Sequence, residues 1–166
     1  MTDPLALPPA GADFRSSLAF IWRWLLLGGA AGAVSGFLVG GVGGRLAMFI
    51  LRLTSSESVR GLESDDGFTI GRFSVQTVFL LGLATAIGLL LGVTCVALRS
   101  QLPGRVGATM IVLAGGTLGA STIIKPGGVD FTRLGPLPLA CALFTAIPLG
   151  GAALTAGLIG RWQCWW

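Results

Sequence analysis

The chain contains no histidine and no tyrosine, and only three cysteines among 166 residues. Without histidine, a His-ligated haem or chlorophyll, a His-bound zinc and a Ser-His-Asp triad are all excluded within this chain. Without tyrosine, phenolic proton chemistry is excluded too. Cys95, Cys141 and Cys164 form an odd, widely spaced set, which argues against a disulfide framework or a zinc site. Each reads as a small packing residue. No cofactor is expected.

Charge is scarce as well. Only 11% of the residues are charged and 53% are hydrophobic, with a mean hydropathy of +0.84. A soluble domain carries roughly 25% charged residues, so this chain cannot coat its own surface with polar groups. Its apolar runs approach the roughly 20 residues needed to cross a bilayer. The composition is that of a small polytopic membrane protein.

The formal charge of +4 is not a nucleic-acid signal. The basic residues stand singly at the ends of apolar runs, where they anchor helices or set topology. No basic stripe is interleaved with aromatics, as a nucleic-acid site requires. Lys125 is the only lysine among 11 basic residues; the bias towards arginine suggests a GC-rich bacterial genome, hence a bacterial inner membrane. A retinal-type Schiff base needs a lysine within a span, and Lys125 lies at the end of one.

What is abundant is glycine, 27 residues of it. Five glycines stand four apart in the first apolar stretch: Gly28, Gly32, Gly36, Gly40 and Gly44. In lipid, helices associate through close backbone approach at small residues rather than through the hydrophobic effect. Four residues advance a helix by about 400°. The row therefore drifts about 40° per step, nearly to the opposite face by Gly44. One straight partner helix cannot use all five; the row calls for a steep crossing or for two neighbours.

Residues 1–17 are polar and carry Pro4, Pro8 and Pro9, which predicts a disordered tail. The pattern then predicts spans over about 18–44, 75–98, 106–124 and 137–159, in one four-helix transmembrane domain. Arg23 and Arg45 bracket the first span; 22 residues between them rise about 33 Å, close to one hydrocarbon thickness. Residues 45–53 repeat arginine at Arg45 and Arg52, seven apart and on one face, so an interfacial amphipathic helix is expected there. Residues 54–73 form a polar loop. In the fourth span, Pro148 followed by Gly150-Gly151 predicts a kink.

Four spans put both termini on one side of the membrane, and all five tryptophans flank the start of the first span or the end of the last. Arg99 and Arg105 flank the shortest loop, which favours termini in the cytoplasm. Gly28-Gly29-x-x-Gly32-Ala33 is echoed by Gly115-Gly116-x-x-Gly119-Ala120. Such an echo is what two duplicated helical hairpins would leave, a pattern common in transporters.

Three functional readings follow, from three kinds of residue. The glycine row supports an association protein, a homo-oligomer or an accessory subunit of a larger membrane complex. Arg45, with Arg52 and Lys125 as further candidate ligand or pore residues, supports a small channel or carrier, since a ring of arginines selects anions. Asp65, Asp66 and Asp130 fall on one side of the membrane and support a membrane enzyme or divalent-cation site with hard oxygen ligands. No acidic residue, lysine or histidine lies securely inside a span, which counts against proton- or cation-coupled transport. The association reading leads, non-enzymatic, with the lipid bilayer and another membrane protein or a second copy as partners.

Overall fold

The computed structural model describes residues 13–55, 75–101, 104–124, 127 and 136–163. All the described elements are helices, without a strand among them, and four are long and apolar enough to cross a membrane. We label them α1 (Phe14–Ser35), α2 (Gly44–Thr54), α3 (Val75–Gln101), α4 (Gly104–Ile123) and α5 (Leu137–Gln163). A π-helical segment, Gly36–Gly43, joins α1 to α2 without a break.

The first helix is therefore longer than the sequence pattern implied. It runs over 41 residues, Phe14–Thr54, about 62 Å at 1.5 Å per residue. The hydrocarbon core is only about 30 Å thick. Even a tilt near 40°, at the top of the usual range, leaves a projected length of about 47 Å. At least one end must reach past the hydrocarbon core.

The sequence placed a boundary at Gly44 because Arg45 follows it. The helix instead continues through Arg45, and α2 packs on α5. Leu51 is fully buried against Ala140 and Phe144, with Met48, Ile124 and Ile147 around them. At the other end of the molecule, Ala31, Val96 and Ile159 form a second cluster with Trp24, Leu27 and Trp162.

The helices are ordered α3, α1, α5, α4, with α1 the common neighbour of α3 and α5. The glycines explain the α1–α3 contact. A Cβ on Gly28 would lie 2.9 Å from the Val93 Cα, one on Gly32 2.8 Å from the Gly92 Cα, and one on Gly36 2.9 Å from the Gly88 Cα. Real side chains do not approach backbone so closely, so only glycine permits this spacing. The α4–α5 contact works alike: a Cβ on Gly119 would lie 2.6 Å from the Pro148 Cβ, and Gly116 seats Leu149. In both hairpins the glycines of the first helix face the second.

The row does not use all its members in the same way. Gly40 meets only the Ala84 Cβ, at 3.4 Å, and Gly44 has nothing within 4 Å. Towards α3 the contacts step from Gly28 to Gly32, Gly36, Gly41 and Arg45, opposite Gly92, Gly88, Ala84, Leu81 and Thr77. The step from 36 to 41 is five residues. In an α-helix it would rotate about 140° past a full turn and leave the face. At roughly 4.4 residues per turn, the π geometry holds the excess to about 50°. The π segment keeps one continuous side of the long helix against α3.

Candidate functional site

Three polar contacts tie the long helix and α5 to their neighbours. The first centres on Arg45, in the opening turn of α2, whose guanidinium Nη2 donates to the Thr77 hydroxyl near the start of α3. Thr77 is fully buried and Arg45 half-buried. α2 carries Arg45 to this place because the π segment feeds it at the right rotation. Arg52 is half-buried in the last turn of α2, where its charge complements the carbonyl end of the helix.

The second contact joins Ser35 of α1 to Thr155 of α5, hydroxyl to hydroxyl. Both are buried. Ser35 Oγ also reaches the carbonyls of Ala31 at 2.9 Å and Gly32 at 3.1 Å, and Thr155 Oγ1 donates to the Gly151 carbonyl at 2.8 Å. The two hydroxyls carry one proton each, so one donates across to the other while the accepting hydroxyl donates to a carbonyl of its own helix. Such interhelical bonds are worth about 0.6 kcal/mol on average in membranes and about 1.7 at most. Ser35→Ala leaves Thr155 bonded to Gly151, so a loss of about 1 kcal/mol or less is expected. Reversible unfolding in mixed micelles measures it, and a larger loss would mean that the pair is more than packing.

The third contact is at the terminal end, where Arg99 Nη1 of α3 donates to the Ala156 carbonyl of α5 at 3.1 Å. Gly160 makes room for it: a Cβ there would lie 3.4 Å from Arg99 Nη2. The arginine links two helices that otherwise touch little.

Six further hydroxyls within the spans bond locally. Thr85, Thr94, Thr117, Ser121, Thr122 and Thr145 each donate to a carbonyl three or four residues back. They satisfy themselves as hydroxyls in apolar helices do. Among the described residues no group of three or more His, Cys, Asp or Glu residues is placed to hold a metal ion. Lys125, Asp65, Asp66 and Asp130 lie outside the described residues.

Sequence reasoning singled out Arg45 and the row from Gly28 to Gly44. It passed over Ala84, Gly88 and Gly92 as the surface facing that row. The signal was present, since these three share its spacing of four. Thr77, Thr155 and Ala156 carry no such mark, because a helical hydroxyl or carbonyl gains a cross-helix partner only through packing.

The fold and these contacts define the class: an all-helical membrane protein with four helices able to span the bilayer. Comparison with protein-family models, curated proteins and solved structures finds no match.

Proposed function

We propose that the protein is a non-enzymatic membrane protein that acts by helix association, as a homo-oligomer or an accessory subunit of a larger membrane complex. The observation that carries this reading is the free side of α4, which packs mainly on α5. Ala114, Thr117 and Ser121 are exposed there, three and four residues apart, beside Leu113 and Leu118. Thr117 and Ser121 already have carbonyl partners in their own helix. Small residues on an outer face leave a groove that lipid tails fill poorly and another helix fills well. The two hairpins, each closed by glycines of its first helix, fit a duplicated unit. A bacterial inner membrane with cytoplasmic termini is the setting proposed.

Subunit counting by stepwise photobleaching in lipid nanodiscs tests the association. More than one copy per particle, or a fixed stoichiometry with one membrane partner, is expected. Ala114→Leu combined with Ser121→Leu should reduce the particle to a single chain that keeps its helical content. A wild-type protein that is a lone monomer in native lipid would overturn the reading.

A further inference from the structure

Two weak points lie at one level of two neighbouring helices. In the long helix it is the π segment Gly36–Gly43, half of whose eight positions are glycine. In α5, a helix unbroken from Leu137 to Gln163, it is the weak stretch of Pro148 with Gly150 and Gly151. They face each other: a Cβ on Gly150 would lie 3.5 Å from Val39 Cγ1, and one on Gly151 4.0 Å from it. Both weaken a helix for known reasons. Glycine stiffens the backbone least, π turns mark functional interruptions, and proline has no N–H to give to the turn before it.

On either side of this level the packing is separate. Beyond it, α2 and the first half of α5 are joined by Leu51, Ala140 and Phe144. Before it, α1, α3 and the second half of α5 are joined by Ala31, Val96 and Ile159, reinforced by the Ser35–Thr155 pair and the Arg99–Ala156 bond. The glycine-close contact of α1 with α3 also lies in this second block. α3 crosses the level without a proline, and its first turns meet α2 through Arg45 and Thr77.

We propose that Gly36–Gly43 and Pro148–Gly151 form a single hinge. About it α2 and the first half of α5 swing as one arm against the block of α1, α3 and the second half of α5. The Arg45–Thr77 hydrogen bond is the latch that holds the arm closed on α3. α4 feels the motion, because Gly119 and Gly116 seat Pro148 and Leu149. Bistable rearrangements of this kind run on microsecond to millisecond timescales, and a few residues at element ends absorb them.

Distance distributions between spin labels on the full-length chain in nanodiscs test the hinge. The three cysteines, Cys95, Cys141 and Cys164, are first replaced by serine. One label pair spans the latch, on Leu53 of α2 and Val78 of α3, which are 69% and 61% exposed. A control pair sits in the block, on Leu26 of α1 and Leu90 of α3, both exposed. The latch pair should show two populations and the control pair one. Gly43→Ala combined with Pro148→Ala should collapse the latch pair to one population; a Cβ on Gly43 has its nearest neighbour at 3.6 Å and fits. Arg45→Gln should enlarge the open population about tenfold or more, the worth of a hydrogen bond from a charged donor. A single narrow latch distribution in the otherwise wild-type chain, as narrow as the control, overturns the hinge. So do two populations that the alanine pair leaves unchanged. Populations unaffected by Arg45→Gln overturn the latch.

Discussion

Gly32→Ala is expected to destabilise the protein by about 3 kcal/mol or more, although alanine is the better helix former. Intrinsic propensity favours alanine over glycine by about 1 kcal/mol in a helix interior. Against that gain stands geometry. The added Cβ would meet the Gly92 Cα at 2.8 Å and the Gly88 carbonyl carbon at 2.9 Å. These are backbone atoms of α3 and cannot rotate away. Relief requires α1 and α3 to move apart along the whole contact, which also lifts Gly28 and Gly36 off their seats. Overpacking ordinarily costs about 1–3 kcal/mol, and more where nothing can yield. Packing wins here. Gly44→Ala is the control: nothing lies within 4 Å of its Cβ position, so only the propensity gain remains and stability should hold or rise. Thermal unfolding of both variants in one detergent reads the difference. A Gly32→Ala protein as stable as the Gly44→Ala one would show that α1 and α3 do not pack this closely.

Leu51→Ala is the second large effect. It separates a docked α2 from the interfacial helix that residues 45–53 suggest by sequence. Lying flat on the membrane, Leu51 would only dip into the acyl boundary, and its truncation would leave the helical bundle intact. Docked on α5, Leu51 is fully buried against Ala140 and Phe144. Removing a buried leucine costs about 2–5 kcal/mol in a soluble core, from transfer and cavity terms together. In a membrane the transfer term shrinks, because lipid is as apolar as leucine. The cavity term remains, so about 2 kcal/mol is expected. For a chain of this size that lowers the melting temperature by roughly 4–8 °C. Hydrogen exchange should rise in residues 44–54 and 137–147 together, since the two segments share the lost contact. An unchanged melting temperature would return α2 to the membrane surface.

The two predictions mark where sequence reading stops. The row from Gly28 to Gly44 announced close packing, and the drift argument showed that its ends cannot serve one straight helix. A drift of that size holds only for a helix with 3.6 residues per turn throughout. The π segment breaks that condition, so Gly41 and Arg45 take up the face towards α3 that Gly40 and Gly44 leave. A π turn has no reliable sequence mark; it forms where flanking contacts demand a rotation that glycine permits cheaply. Arg45 shows the same limit. Spacing from Arg23 put it at a membrane edge and ended the span there, since a charge reads as a boundary. The helix passes through it, with Thr77 as its partner.

Composition and pattern by themselves determine an all-helical membrane protein with four apolar helices long enough to span, because backbone groups in hydrocarbon must bond within their own segment. They determine as well that histidine and tyrosine chemistry is absent. Tertiary structure alone decides which neighbour each glycine faces, that α2 docks on α5, and that Ser35, Arg45 and Arg99 find partners far along the chain. The reason is physical. Crossing the bilayer is a property of one segment and its solvent. Packing between spans depends on rotations and separations that only the assembled helices set.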